Sequence, residues 1–297
     1  MEQVKTAAIV LAAGHGKRMH SKVAKQYLLL KGEPVVVHAL RAFEKAGMDE
    51  IILVAGADEV EFCKRNIVEQ YGFTRVRQVV AGGKERYDSV RNGLCALKTV
   101  GFAEDGIVLI HDGARPLVNG EIIARAVDGV REFSACVASM PVKDTIKAAD
   151  AEGFSASTPD RSTLWQIQTP QAFRFGLIYR AYEKVFAPGT DRSRITDDAM
   201  VVELMTDTKV KFIEGSYSNI KVTTPEDMII AEALCAHRVQ WILSIIEDMD
   251  LPVAVRERRG LPGKGDHAFL AEQIKRILVP IQYLHSYTQK SIPDQLR

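Results

Sequence analysis

The first 141 residues alternate between short apolar runs and amphipathic segments. Short, largely apolar runs predict strands at residues 7–11, 50–54, 75–80, 107–111 and 135–141. The amphipathic segments between them predict helices at residues 35–45, 59–71, 88–97 and 121–132. Strands without a polar face, separated by helices, are typical of a parallel sheet covered on both sides. We therefore predict an α/β fold with a Rossmann-like, doubly wound, mostly parallel sheet.

Residues 142–168 interrupt this alternation and are predicted to form a protruding β-hairpin arm. The segment is polar, and Gly153 marks a turn between two extended stretches. An isolated hairpin is marginally stable in water, so the arm is expected to pack against another surface. A second subunit is the candidate for that surface, which makes the arm a predicted dimerisation element.

The pattern beyond the arm predicts further regular elements. A helix is predicted at residues 175–186, and short strands are predicted at residues 210–213 and 220–222. Another helix is expected to begin at Pro225, because proline suits the first helical position and Thr224 is a plausible N-cap.

A domain boundary is predicted near residue 235. Residues 1–235 contain the alternating pattern and every motif discussed below. Residues 236–297 contain a stretch rich in Gly, Pro and charge, followed by a helical pattern that Pro280 interrupts. They are predicted to form a helical C-terminal extension of unknown role.

The composition excludes several classes of protein. The chain has 297 residues, of which 46% are hydrophobic and 26% charged, which excludes a disordered or collagen-like chain. With 39 basic and 38 acidic side chains the net charge is +1, so no nucleic acid or anionic membrane partner is indicated. Cysteines without metal-binding spacing, and the absence of a long apolar run or a signal peptide, favour a cytoplasmic protein.

A glycine turn directly after the first strand is the first candidate site. In the sequence LAAGHGKRM, small residues would let backbone N–H groups approach phosphate oxygens, and Arg18 and Lys25 add positive charge suited to a triphosphate. The turn lacks the third glycine of a dinucleotide fingerprint, because Met19 stands there, and it is not a Walker A loop. A tight turn with solvated basic residues is the alternative.

A second candidate site follows the strand at residues 107–111. Asp112 stands at the carboxyl edge of that strand, where a carboxylate can bind Mg²⁺ or a ribose hydroxyl. Arg115 could pair with a phosphate through two hydrogen bonds. A turn aspartate with a surface arginine is the alternative.

The motifs LAAGHGKRM, KQYL, GGKERYDSV, HDGARP, PVKDTIK, DRSTLWQIQTPQAF, ITDD and NIKVTTPED occur in that order. Together they resemble the 2-C-methyl-D-erythritol 4-phosphate cytidylyltransferase family over about residues 5–235. The resemblance implies a nucleotidyltransferase-type fold that transfers CMP from CTP to 2-C-methyl-D-erythritol 4-phosphate in the non-mevalonate isoprenoid pathway. It also implies Mg²⁺ or another divalent cation as cofactor, and a homodimer joined through the arm.

The resemblance also implies roles for individual residues. Arg18 and Lys25 would be the catalytic cations. CTP would be bound by Ala12, Ala13, Gly14, Gly16, Gly83, Ser89 and Asp112, with Asp88 a weaker match. The methylerythritol phosphate would be held by Arg115, Thr145, Arg161 and Lys221, with Thr145 and Arg161 acting from the second subunit. Asp112 is a candidate metal ligand, and no direct ligand is assigned. One departure from the family pattern is Ala24, where proline is common.

Three alternatives are weighed against this resemblance. A ribitol 5-phosphate cytidylyltransferase would share the glycine turn and the arm. An NAD-binding oxidoreductase would need the missing third glycine and an acidic residue directly after the second strand. A catalytically inactive binding protein would not need Arg18 and Lys25. The nearby His15 and His111 are not expected to act as bases, because a phosphate nucleophile is already ionised at neutral pH.

Overall fold

A computed structural model describes residues 4–14, 16–19, 21 and 23–236. The predicted C-terminal extension lies outside the described residues, apart from its first residue, and its helical character stays a prediction. Among the described residues, no helix is long and apolar enough to cross a membrane.

A seven-stranded sheet forms the centre of the described chain. Its strands in chain order are β1 Thr6–Ala12, β2 Glu50–Ala55, β3 Val76–Ala81, β4 Ile107–Asp112, β5 Ala135–Pro141, β6 Trp165–Arg174 and β7 Lys211–Glu214. Their spatial order is β7-β5-β6-β4-β1-β2-β3. All neighbouring pairs are parallel except those of β6, which runs antiparallel to both β4 and β5. The mostly parallel sheet is confirmed.

Helices cover both faces of this sheet. They are α1 Val35–Lys45, α2 Arg86–Thr99, α3 Gly120–Phe133, α4 Phe175–Val185 and α5 Asp198–Met205. Alternate β1 residues point to opposite sides: Ala8 and Val10 pack with α1 and α3, whereas Ala7 and Ile9 pack with α2, α4 and α5. Because β1 is buried on both faces, its sequence is apolar without alternation.

Strand β6 corrects the predicted end of the arm. Residues 165–168 belong to the central sheet, and residues 169–174 continue a strand that the sequence pattern did not predict. Polar side chains in this strand hid it, because Gln168, Thr169 and Gln171 are buried at the sheet rather than exposed in a loop. Each of the three has hydrogen-bond partners, which makes their burial tolerable.

Other predicted elements differ more locally. The predicted strand at residues 220–222 is wrong: this segment is not a strand, and Val222 N donates to Ala114 O at 2.8 Å. The predicted helix at 59–71 is shorter and changes from an α-turn at Val60–Phe62 to π-helical turns at Cys63–Glu69. Helix α5 was not predicted. The helix expected at Pro225 is confirmed and continues to residue 236, the last one described.

Residues 143–163 are exposed throughout. Within them, Ala148–Ala149 and Ser155–Ser157 pair as a short antiparallel ribbon. Gly153 lies in the connecting turn with φ +89°, a value that favours glycine. The role of this segment in dimerisation stays a prediction.

Candidate active site

The candidate site is a cleft at the carboxyl ends of β1 and β4. Strand β4 lies on one side of β1 and β2 on the other, and α1 and α2 cover opposite faces of the sheet. Open α/β sheets bind ligands at such switch points. The cleft has a volume of about 250 Å³. It is lined by Leu11, Ala13, Gly14, Lys25, Gln26, Gly83, Lys84, Glu85, Arg86, Ser89, Asp112, Ala114 and Lys221.

The glycine turn after β1 forms one wall of the cleft. Gly16 adopts φ +59°, and Met19 N donates to its carbonyl at 2.8 Å, which folds the chain back over Lys25. Arg18 lies on the short 3-10 turn Lys17–Met19 and is exposed. Ala12 is buried and does not line the cleft; its carbonyl accepts a hydrogen bond from Gln26 Nε2 at 2.6 Å.

A second glycine turn, after β3, forms the facing wall. Gly83 N donates to Ser89 Oγ at 3.1 Å. A Cβ at Gly82 would lie 2.5 Å from Ala13 Cβ and 2.7 Å from Ser89 Oγ, so only glycine lets the two walls approach. Asp88 does not line the cleft; its carboxylate accepts from Glu85 N at 2.9 Å and caps α2.

Asp112 lies between cations at the base of the cleft. Its carboxylate is 2.7 Å from Lys221 Nζ, 3.4 Å from Arg86 Nε and 3.9 Å from Arg115 Nε. Burial raises the pKa of Asp112, but the three positive charges outweigh burial and hold that pKa well below its usual range. Asp112 is therefore ionised at neutral pH, and it keeps the mutually repelling cations together.

Lys25 faces the same cleft from the 3-10 turn Lys25–Tyr27. Its Nζ donates to Val222 O at 3.1 Å, which ties it to the segment that carries Lys221. Burial lowers the pKa of Lys25 to about 8, with further lowering by the positive charges of Lys221 and Arg18 and partial opposition from Asp112. Lys25 is thus a cation whose charge changes close to physiological pH.

The sequence of this chain matches that of a known protein family. The sequence profile described as 2-C-methyl-D-erythritol 4-phosphate cytidylyltransferase matches residues 6–237. The chain belongs to the 2-C-methyl-D-erythritol 4-phosphate cytidylyltransferase family. The family resemblance stated from the motifs is confirmed, and these matches favour neither a ribitol 5-phosphate cytidylyltransferase nor an NAD-binding oxidoreductase.

This chain covers nearly the full length of each of three similar proteins. The 2-C-methyl-D-erythritol 4-phosphate cytidylyltransferase of Lachnospira eligens is 49% identical over 225 residues, covering 75% of this chain and 96% of that protein. That of Lachnoclostridium phytofermentans is 45% identical over 238 residues, covering 80% and 99%. The crystal structure of 4-diphosphocytidyl-2C-methyl-D-erythritol synthase from Anaerococcus prevotii superposes with a TM-score of 0.68 and 36% identity, covering 78% and 96%.

The structure brings together some of the residues for which the cytidylyltransferase family implies roles. Those that line the cleft are Ala13, Gly14, Lys25, Gly83, Ser89, Asp112 and Lys221. Arg115 does not line the cleft, but it approaches Asp112 and donates from Nη1 to Asn219 O at 2.7 Å. Thr145 and Arg161 lie on the exposed arm, outside the cleft of their own chain.

Arg86 lines the cleft of this cytidylyltransferase-family chain, although the motifs did not predict it as a site residue. Its guanidinium forms two hydrogen bonds with the fully buried carboxylate of Asp198, at 2.9 and 2.7 Å. Tyr182 Oη donates to the same carboxylate at 2.6 Å, and Gln171 Oε1 accepts from Asp198 N at 3.0 Å. Both Arg86 and Asp198 lie in motifs already noted, but nothing local to either indicates that they pair.

A divalent cation has limited protein ligands here. Among the described residues, no group of three His, Cys, Asp or Glu side chains is arranged to hold a metal ion. Asp112 and Glu85 are the carboxylates lining the cleft. Mg²⁺ usually binds through one or two carboxylates together with substrate phosphates and water, so this donor set fits a cation that arrives with a nucleotide.

The charge of Lys25 predicts a pH dependence for the use of CTP. Below about pH 8 Lys25 is protonated and can attract a triphosphate, and above that pH it loses its charge. We expect kcat/KM for CTP to be level below pH 8 and to fall as the pH rises further, because this ratio reports groups of the free enzyme. Steady-state assays from pH 6.5 to 9.5 measure it. A Lys25→Arg variant should show no such fall, and an equal fall in that variant would refute the assignment.

Proposed function

We propose that this chain transfers CMP from CTP to 2-C-methyl-D-erythritol 4-phosphate, giving 4-diphosphocytidyl-2-C-methyl-D-erythritol and pyrophosphate in the non-mevalonate isoprenoid pathway. A phosphate oxygen of the alcohol attacks the α-phosphorus of CTP, and the bond to the leaving pyrophosphate breaks. The observation that carries the proposal is the meeting of Lys25 and Lys221 around Asp112 at the switch-point cleft of a chain in this family.

Charge decides which catalytic devices this reaction needs. Two anions must approach each other, so the protein has to position them and offset their repulsion. The cations of the cleft and its edge, Lys25, Lys221, Arg86 and Arg18, supply that charge. The attacking phosphate is already ionised at neutral pH, so neither a protein nucleophile nor a general base is needed.

Each wall of the cleft is proposed to hold one part of CTP. Backbone N–H groups around Ala13 and Gly14 would contact the phosphates, and Gly16 would shape the turn. Ala12 is buried and would contribute indirectly, through its carbonyl, which accepts a hydrogen bond from Gln26. The opposite wall, Gly83 and Ser89, would hold the cytosine and ribose. The two walls are close enough for this because Gly82 carries no side chain.

We propose Mg²⁺ or another divalent cation as cofactor, held mainly by the phosphates of CTP and by Asp112. When bound, the cation would neutralise charge on the triphosphate and favour departure of pyrophosphate. Asp112 is already ion-paired with Lys221 at 2.7 Å, so its contribution to the cation is shared with the lysine.

We further propose a homodimer in which each arm completes the site of the partner. The support is that Thr145 and Arg161 are exposed and lie outside their own cleft, whereas Arg115 and Lys221 lie at or beside it. The methylerythritol phosphate would then be held by Arg115 and Lys221 of one chain and by the arm of the other.

Mixing two inactive variants tests the shared site. If Arg161 acts across the dimer, a hybrid of Lys25→Ala and Arg161→Ala subunits has one intact site and one doubly altered site. Refolding an equal mixture should therefore restore roughly a quarter of wild-type activity, since half the dimers are hybrids. No recovery, in hybrids confirmed by differential tags, would show that Arg161 acts within its own chain or not at all.

A cytoplasmic location is proposed on the state of the cysteines. Cys63, Cys95 and Cys136 form no disulfide, and Cys95 is exposed. An exposed thiol is compatible with a reducing compartment.

Release of pyrophosphate from CTP tests the activity directly. With Mg²⁺ and 2-C-methyl-D-erythritol 4-phosphate, we expect turnover in the ordinary range for enzymes, about 1–1,000 s⁻¹. Ribitol 5-phosphate serves as the matched acceptor, and we expect its kcat/KM to be at least 100-fold lower, because its missing methyl branch and different hydroxyl pattern leave polar groups of the site unpaired. Faster use of ribitol 5-phosphate would replace the proposed substrate, and release with neither acceptor would reject the proposed function.

A further inference from the structure

His111 is a buried polar residue to which the proposed reaction gives no role. It is the penultimate residue of β4, directly before Asp112, and its side chain is fully buried. Its ring packs edge-on against Phe43, with ring centroids 5.1 Å apart. The imidazole is therefore closed off from substrate and cannot exchange a proton with it directly.

Both ring nitrogens of His111 have hydrogen-bond partners. Nε2 lies 3.1 Å from Arg115 O, and Nδ1 lies 3.0 Å from Thr169 Oγ1. Thr169 Oγ1 also accepts from Asp112 N at 3.1 Å. The ring thus connects the start and the end of the turn 112–115 with the neighbouring strand β6.

The partners determine where the hydrogens lie. The carbonyl of Arg115 can only accept, so His111 Nε2 donates to it. Because Asp112 N donates to Thr169 Oγ1, the threonine hydroxyl hydrogen is free to be donated to His111 Nδ1. A neutral imidazole protonated at Nε2 pairs every donor and acceptor of this hydrogen-bond network.

The connected turn carries two groups proposed to act on the substrates. Asp112 holds Lys221 at 2.7 Å, and Arg115 is predicted to bind the methylerythritol phosphate. Arg115 N also donates to Asp112 O at 2.9 Å. The turn is therefore stabilised both by this backbone hydrogen bond and by the hydrogen bonds of His111. Displacing the ring would let both side chains change direction.

We propose that His111 is a positioning residue, whose neutral ring fixes the turn 112–115 against Thr169 and thereby aims Arg115 and, through its ion pair with Asp112, Lys221 at the polyol phosphate. This inference rests on the proposed function and deepens it. The hydrogen bonds and the ring contact of His111 described above involve Arg115, Thr169 and Phe43, none of which lies on a glycine turn proposed to hold CTP. Its removal should accordingly affect the polyol phosphate much more than CTP.

Replacing His111 by residues that keep one, or neither, of its hydrogen bonds tests this role. His111→Phe fills the space and removes both hydrogen bonds, while His111→Gln can still donate to Arg115 O. For His111→Phe we expect kcat/KM for 2-C-methyl-D-erythritol 4-phosphate to fall about 10- to 100-fold, with KM for CTP within about twofold of wild type. His111→Gln should recover part of the loss. His38→Phe, which removes a half-buried imidazole that is also bonded to a backbone carbonyl, is the control and should leave both KM values unchanged.

A second variant, which interrupts the same hydrogen-bond network at Thr169, covers the case in which His111→Phe fails to fold. Thr169→Val removes the hydroxyl that joins Asp112 N to the ring, and Thr169→Ser retains it. The valine variant should show the same split between the two substrates, and the serine variant should restore wild-type kinetics. Equal changes in both KM values, or unchanged kinetics in a folded His111→Phe protein, would overturn the positioning role. An inactive wild-type protein would instead reject the proposed function and this inference with it.

Discussion

Replacing Lys25 by alanine should lower kcat for cytidylyl transfer by about 100- to 1,000-fold, and Arg18→Ala should have an effect of similar size. Both cations are proposed to stabilise charge that develops on the triphosphate as pyrophosphate leaves. Lys25 lines the cleft, and Arg18 is near enough to lower its pKa. Initial rates of pyrophosphate release under CTP saturation measure the loss.

Two controls separate catalysis from folding in these variants. Lys25 donates one hydrogen bond to a backbone carbonyl, so its loss should cost only about 1 kcal/mol of stability. Thermal unfolding should accordingly show both variants folded at the assay temperature. Lys64→Ala, which removes a surface lysine paired with Glu61, should retain wild-type turnover. Near-normal kcat in Lys25→Ala or in Arg18→Ala would remove that residue from the proposed mechanism.

The second large effect is expected on stability, from Arg86. Arg86→Met should lower the free energy of unfolding by about 3–5 kcal/mol, because it leaves the buried carboxylate of Asp198 without its compensating charge. The same change removes one of the cations that hold the pKa of Asp112 low. Urea unfolding, followed by far-UV circular dichroism, measures the loss.

A double variant distinguishes an ion pair from general damage. Arg86→Met with Asp198→Leu replaces both charges by apolar groups, so no buried charge is left unpaired, and we expect it to be more stable than Arg86→Met alone. If the two changes add, the residues do not act as a pair. The double variant should still have little activity, since Arg86 also lines the cleft.

Much of the fold follows from local sequence. Strands β1, β2 and β4 are buried on both faces, and helix α1 presents one apolar stripe, so short stretches of sequence identify them. The glycine turn and Asp112 were found for a related reason. Each stands at the carboxyl end of such a strand, and parallel strands end at the same edge of the sheet.

The missed features depend on pairing between distant residues. Strand β6 looks like a loop because Gln168, Thr169 and Gln171 are polar, and only their buried partners explain them. Arg86 and Asp198 are 112 positions apart. No sequence periodicity or motif spacing indicates such a contact. The pairing of Arg86 with Asp198, next to Asp112, is therefore evident only from the structure.

Strand β6 also has a mechanical consequence. The exposed segment 143–163 leads directly into this strand, so its second leg and the residue beneath Asp112 belong to one continuous stretch of chain, with only Gln166, Ile167 and Gln168 between Trp165 and Thr169. Any contact that orders the arm therefore also affects the base of the cleft, because only a few residues of β6 separate them. If subunits associate through the arm, association and substrate binding are thermodynamically linked, and each must strengthen or weaken the other by the same factor.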